Sequence, residues 1–418
     1  MAQLTDDCFA FSGPLLPLAD MEKLIAERVQ PLAETERVPL ARARLRVTAR
    51  GLLAPVPLPP FDNSAVDGYA VRHADLAASG ETKLKIAGRL TAGREAGSAI
   101  APGAAVRIFT GAPMPYGADT VFMQEDTRED AGSVILPSGL KRGSNRRLAG
   151  EDAAQGAVVI PAGTMLQPQH IALAAALGMT EIEARRRVKV AIFSTGDEVV
   201  EPGAARGAAA IYDSNRYLVS ELLARLGVQV TDLGILRDDA EHLAAAIKKA
   251  AAAHDLIITT GGVSTGEADY VKIAVEEIGK LVFWRVGIKP GRPVSMGIID
   301  GAAFAGLPGN PVAVFVTFVR VVKPLLLRLA GAQPQKLVPL PVRVGFAYKK
   351  KTGRREYVRV SLVARPDGDI EAVKHPQDGA GILTSLTQTD GLLEFPEDVT
   401  SVEPGARGGF LSYAALTG

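Results

Sequence analysis

Residues 255–270, DLIITTGGVSTGEADY, constrain the fold more than any other stretch of the chain. The apolar, β-branched run from Leu256 to Thr260 has the length and composition of a buried strand. A double glycine, Gly261-Gly262, ends it, and the loop then enters a helix expected to begin near Ala268. Glycine lets backbone N–H groups approach a ligand, and a helix start carries partial positive charge, so the loop suits an anion. Gly261-x-x-x-x-Gly266 has P-loop spacing, but Glu267-Ala268 stand where Lys-Ser/Thr is needed, and a nucleotide-hydrolysing P-loop is rejected. Glu267 and Asp269 beside a phosphate are tolerable with a cation such as Mg²⁺ between them. A plain tight turn with Asp269 at the helix start remains the alternative on these residues alone.

The same strand–loop–helix unit recurs from Arg187 onward. VKVAIFSTGDEV is a buried strand entering a polar loop, and SNRYLVSELLARLG is an amphipathic helix closed by Gly227. VQVTDLGILRDD is the next strand, and residues 240–253 form an alanine-rich helix. Beyond 255–270 and its helix come FWRVGIKPGRPVSMGII, a hairpin-like pair, then AAFAGLPGNP and a long helix over about 312–330. Strands alternating with helices at this spacing predict a parallel sheet with right-handed crossovers. Ligands bind such sheets at the carboxyl ends of the strands. The loops at that edge, 194–198, 236–239, 261–269 and 308–311, hold Asp197, Glu198, Asp238, Asp239, Glu267 and Asp269, next to Lys289 and Arg292. Acids repeated at one sheet edge argue for a metal-assisted site. Each also has a structural reading: Asp238-x-x-Glu241 is a respectable capping box, and Asp213 or Ser214 suits an N-cap.

Before this region, residues 18–30 set Met21, Leu24, Ile25 and Val29 on one helical face, and a second short helix is expected over 48–53. PVPLPP (55–60) is stiff, extended backbone, a connector. PPFDNSAVDGYAVR then packs Asp62, Asn63, Ser64, Asp67 and Gly68 between Phe61 and Tyr69, which an Asx-rich loop closing a β-domain would also explain. Residues 71–147 read as all-β, with Thr110-Gly111 at a strand end. The run Lys141, Arg142, Arg146, Arg147 is either a solvated face or an anion-binding rim. Pro168 opens a helix that Gly178 stops, expected to pack with the N-terminal one. Residues 335–418 are β-rich, and Lys349, Lys350, Lys351, Arg354 and Arg355 read as a solvated hairpin tip.

The expected organisation is thus an α/β multidomain chain. A small α+β linker domain spans 1–54 and 148–186, and a β-rich domain, 55–147, is inserted into it. A parallel βα domain covers 187–330 and a C-terminal β domain 331–418. For 418 residues the length prior suggests about three domains. Lys+Arg 47 against Asp+Glu 46 implies no polyanion surface, hence no nucleic-acid partner. The single cysteine, Cys8, excludes an intrachain disulfide and a cysteine zinc site. No signal peptide and no membrane-length apolar run is visible, so a cytoplasmic protein with no membrane partner is expected.

PPFDNSAVDGYAVR, RIFTGAPMP, GED, FSTGDEV, GGVSTGEADY, KPGRP and GLPGNPV, in this order, resemble the molybdopterin molybdenumtransferases (MoeA, and the E domain of gephyrin) over nearly the whole chain. The resemblance implies a βα domain like the molybdopterin adenylyltransferase (MogA-like) fold, a C-terminal barrel-like domain, and a homodimer with a shared active site. It also implies the reaction: adenylylated molybdopterin plus molybdate gives molybdenum cofactor and AMP, with Mg²⁺. A molybdopterin adenylyltransferase is the implied partner. Carried over, the family's functional residues fall on Asp67, Thr110, Asp152, Glu198, Asp238 and Asp269. Glu198, Asp238 and Asp269 would hold the metal. Gly261, Gly262, Ser264, Lys289, Arg292, Pro293, Asn310, Arg354 and Ser385 would contact substrate or anion. Arg292 replaces a frequent Lys, which keeps the charge but changes hydrogen-bond geometry, while Ala313 replaces a frequent Ser and Ala380 a serine, so a hydroxyl is missing at each. A non-catalytic scaffold, and another phosphoanhydride hydrolase on the same domain, are the alternatives.

Overall fold

The computed structural model describes residues 4–5, 8–9, 15–261 and 270–418. Two compact units emerge. The first comprises residues 1–49, 163–167 and 183–418; the second comprises 50–162 and 168–182.

The first unit is built on a six-stranded sheet in the order Gln229–Leu236, Lys189–Thr195, Leu256–Thr260, Ala302–Leu307, Pro293–Ile299, Lys280–Arg285. The first four strands are parallel, and the last two complete an antiparallel meander. The expected strand 256–260 is entirely buried, as a both-faces-covered parallel strand should be. One face packs Val190, Ile192 and Ile258 against the helix Asn215–Ala224 and the helical run from Pro311 to Leu329. The other packs Ala191, Phe193 and Ile257 against Ala240–Ala251 and Tyr270–Ile278. The long C-terminal helix of this domain is interrupted by a π segment, Phe318–Val322. Pro324 lacks an amide proton, and its ring would meet the Arg320 carbonyl of a regular α-helix, so the wider turn relieves it.

The C-terminal strands close on themselves. Arg355–Ala364 pairs with both Ile370–Lys374 and Gly391–Phe395, and Leu340–Val344 and Arg407–Ser412 complete a five-stranded barrel. Val342, Val344, Val358, Val360, Leu393, Phe395 and Phe410 fill it. The short strand Ile288–Lys289 adds to the barrel beside Arg355 and Glu356.

The second unit carries a mixed six-stranded sheet, Thr120–Met123, Gly68–Val71, Ala104–Ile108, Thr82–Leu90, Ser133–Leu136, Arg128–Asp130. The expected helix over 48–53 does not form. Thr48 bridges Ala184, and Leu52–Leu53 pairs with Val158–Ile160, because tertiary pairing overrides the weak local helix preference of a segment containing Gly51. The helix Leu18–Arg28 buries its apolar face in the first unit's core, and Pro168–Ala176 belongs to the second unit.

Candidate active site

Three adjacent strands of the first unit run in the order 2-1-3, so the strand order reverses between Lys189–Thr195 and Leu256–Thr260. Crossovers leave in opposite directions there, opening a crevice at the strand ends. Both strands terminate in hydroxyls. Ser194 Oγ and Thr260 Oγ1 are buried and 2.8 Å apart, and Thr195 Oγ1 donates to Asp238 Oδ1. Asp238 is free for this because Asp239 is the N-cap of Ala240–Ala251, accepting the His242 amide at 2.7 Å. The capping-box reading of Asp238 is therefore corrected by one position. Asp213, not Ser214, supplies the cap of the preceding helix, accepting the Arg216 amide at 3.1 Å.

Glu198 is exposed, and its carboxylate has no partner among the described residues. It folds over Gly196, where φ is +134° and an added Cβ would lie 2.8 Å from Glu198 Oε2. Gly261 differs from its expected role. Its amide donates to the Leu307 carbonyl at 3.3 Å, so this N–H is not available to a ligand. Gly262, Ser264, Glu267 and Asp269 lie outside the described residues. Among the described residues no three His, Cys, Asp or Glu side chains converge as a metal centre. Glu198 and Asp238, each just beyond the carboxyl end of one of two adjacent parallel strands, are nonetheless hard oxygen donors. They fit Mg²⁺, which takes one or two carboxylates and completes its shell with water and phosphate oxygens.

Strand register brings the KPGRP loop to the same edge. Ser295 pairs Gly306 and Gly306 pairs Thr259, so the turn 286–292 projects beyond the carboxyl ends of the parallel strands. Gly291, φ +102°, seats this loop on the helix Pro311–Thr317, since a Cβ there would meet Thr317 Oγ1 at 2.3 Å. Lys289 Nζ reaches Glu356 Oε2 at 3.2 Å. Glu356 also accepts from Tyr348 Oη at 2.6 Å and from Arg354 Nε at 2.6 Å, while only 1 % exposed. Burial alone would raise its pKa, but donation from Tyr348, Lys289 and Arg354 outweighs it and holds the carboxyl below the usual glutamate range. Arg292 is exposed with no side-chain partner among the described residues. Two cations, Lys289 and Arg354, thus share one buried carboxylate, and with the unpaired Arg292 on the same loop as Lys289 the surplus positive charge suits an oxyanion.

Pro293 is exposed where the loop enters its strand, and Asn310 is an exposed N-cap residue whose side chain makes no capping bond. The helix start at Val312 is covered instead by the Ala380 carbonyl, 3.0 Å away. Ser385 is withdrawn from the ligand-facing set. It is fully buried, donates to Ile382 O at 2.5 Å and accepts from Arg359 Nε at 3.0 Å. The solvated-tip reading of 349–355 holds for the exposed Lys349 and Lys351 and fails for Lys350, Arg354 and Arg355. Lys350 is buried and caps the Pro396 and Val399 carbonyls, both at 2.7 Å, while Arg355 pairs Glu394 and Glu397.

In the second unit, Thr110 donates both its amide and its hydroxyl to Asp67 Oδ1, each at 2.8 Å. The amide bond, then the hydroxyl bond, holds this carboxyl below its usual range. Oδ2 takes no hydrogen bond among the described residues. Gly68 is fixed by close packing, since a Cβ would lie 1.7 Å from the Phe122 carbonyl oxygen. Asp62 binds Arg146 and the Ala149 amide, and Arg142 pairs Asp119. The basic run at 141–147 therefore serves in part to close the motif loop. Asp152 is exposed, its amide bound to Leu58 O at 3.0 Å.

Family models agree with this architecture in chain order: MoeA N-terminal region (domain I and II) over 16–178, probable molybdopterin binding domain over 191–328, and MoeA C-terminal region (domain IV) over 341–407. A molybdopterin molybdenumtransferase of Haemophilus influenzae is 37 % identical over 94 % of this chain and 97 % of its own. The chain belongs to the molybdopterin molybdenumtransferase (MoeA) family. A second such transferase, from Nostoc, is 35 % identical over 94 % of this chain and 92 % of its own. A molybdopterin biosynthesis MoeA protein of Pyrococcus horikoshii superposes with a TM-score of 0.79 at 28 % identity, covering 96 % of this chain and 100 % of that one. As a MoeA-family transferase, the chain is an enzyme of molybdenum cofactor biosynthesis, and the scaffold alternative is set aside. No helix of the described residues is long and apolar enough to cross a membrane.

Sequence reasoning missed Thr195, Ser194, Thr260, Tyr348 and Glu356. A strand that ends in Ser-Thr or Thr-Thr offers a faint signal. Glu356 offers one too, as a lone acid heading the apolar run YVRVSLVA.

Proposed function

We propose that this enzyme, working in the cytoplasm, inserts molybdate into adenylylated molybdopterin and releases AMP, in a Mg²⁺-dependent reaction. The observation that carries the reading is the meeting of two chemistries at one sheet edge. Glu198 and Asp238 offer oxygen donors, Lys289 and Arg354 offer positive charge around Glu356, and the exposed Arg292 adds to it from the same loop as Lys289. Asp269, by its place in the sequence, would add a third carboxylate. Lys289 and Arg292 would bind the molybdate oxyanion, with Arg354 braced behind them by Glu356. Asp238, oriented by the Thr195 hydroxyl, and Glu198 would hold Mg²⁺ and face the phosphoanhydride. When bound, Mg²⁺ supplies neutralisation of the charge that develops as that bond breaks.

Asp67 and Thr110 are proposed to complete the site of the partner subunit in a homodimer. Support comes from the open Oδ2 of an anchored, ionised carboxylate and from the stiff 55–60 connector. Asp152 is assigned to the same surface on family likeness. A molybdopterin adenylyltransferase is the proposed supplier of substrate. Incubating the purified protein with adenylylated molybdopterin, molybdate and Mg²⁺ should give AMP in proportion to molybdate, abolished by a chelator. AMP that does not depend on molybdate would refute molybdenum insertion and leave a hydrolase.

A further inference from the structure

We infer that the first unit carries a second binding site, remote in kind from the sheet-edge site, for a small organic anion with an apolar body. A cavity of about 490 Å³ lies along the helical run 318–328, within the size range of small-ligand pockets. Ile25, Val319, Leu327, Leu337 and Leu411 give it apolar walls. Its charge is one-sided: six Lys and Arg side chains line it against two carboxylates, Glu22 and Glu394.

Two of those cations are buried rather than solvated. Arg320 and Lys323 are each 8 % exposed. Arg320 gives one amino group to Glu22 Oε1 at 3.0 Å, and its buried Nε has no acceptor among the described residues. Among the described residues Lys323 Nζ donates to one neutral group, the Leu416 carbonyl, at 2.8 Å. Burial, then the neighbouring Arg320 charge, pushes its pKa down. An ammonium out of water with a single neutral acceptor is costly, and an anion seated in the cavity would offset that cost. A carboxylate head against Lys323 and Arg320, with its hydrocarbon body along Leu327 and Leu337, satisfies both halves of the lining.

Calorimetry with octanoate tests this, with n-octylammonium as the charge-reversed control. The full-length protein should bind octanoate saturably and octylammonium not at all. Lys323→Met should weaken octanoate binding at least about tenfold. In the absence of ligand its melting temperature should be unchanged or higher, since a buried charge has been removed. Leu337→Trp, which fills the cavity from its wall, should also abolish binding in a folded protein. Absent binding, equal binding of octylammonium, or undiminished octanoate binding by either folded variant would overturn the proposal.

Discussion

Gly261 lies against Thr195: a Cβ placed on Gly261 would stand 2.8 Å from the Thr195 carbonyl oxygen, and φ at Gly261 is +91°. Two strand ends meet here, so closely that the glycine is required by the protein's own backbone. Gly261→Ala should destabilise the fold by about 1–3 kcal/mol, from strain at positive φ together with the contact. Urea unfolding measures it; an unchanged midpoint would show that the strand ends part easily.

Removing the Glu356 charge should loosen the cation cluster. Glu356→Gln keeps an acceptor but leaves Lys289 and Arg354 without their shared carboxylate. A stability loss of about 3 kcal/mol is expected from breaking a buried ionic contact. The molybdate concentration for half-maximal AMP release should change with it. A variant as stable as wild type would reduce Glu356 to a bystander.

The same residue sets a pH dependence. Its folded pKa lies below the unfolded value of about 4.3, so the unfolded chain takes up the proton first as pH falls. The stabilisation is complete above the ordinary glutamate range and is lost as pH drops through it toward the folded value. The stability gap between wild type and Glu356→Gln should therefore be constant near neutrality and shrink below about pH 4. A gap that widened on acidification would reverse the assigned sign.

Arg292→Gln should raise the molybdate requirement about tenfold with little change in the maximal rate, because an exposed cation at a loop contributes mainly to binding. Steady-state AMP release against molybdate concentration separates the two effects. An unaltered half-saturation point would exclude Arg292 from the anion site.

Mixing tests the shared site. Asp67→Asn and Asp238→Asn subunits, each inactive alone, should regain activity on exchange, since each mixed dimer would hold one site with both carboxylates intact. Demonstrated exchange without recovered AMP release would confine Asp67 to its own chain or to no role.

Much of this was legible in the sequence, for local reasons. Leu256–Thr260 and Gly391–Phe395 are apolar runs bounded by turn formers, and both are strands. The carboxyl-edge location of Glu198 and Asp238 followed from βα alternation. What was not legible depends on distant partners. Closure of the barrel needs Arg355–Ala364 to meet two strands at once, and nothing local encodes that. Lys350 reads as solvated until the carbonyls of 396–399 are known to need a donor. Asp238 and Asp239 are equivalent as caps in sequence, and only the helix start separates them.

Ile288–Lys289 hydrogen-bonds to the barrel strand Arg355–Ala364, while the segments before and after it belong to the six-stranded sheet. The loop 286–292 is therefore a seam sewn from both sides. Recombining this chain with a relative at a breakpoint near residue 335 would keep the six-stranded sheet and the barrel interior whole and split Lys289 from its inherited Glu356. Such chimeras should express and fold, yet bind molybdate poorly unless residues 286–292 and 348–356 come from one parent.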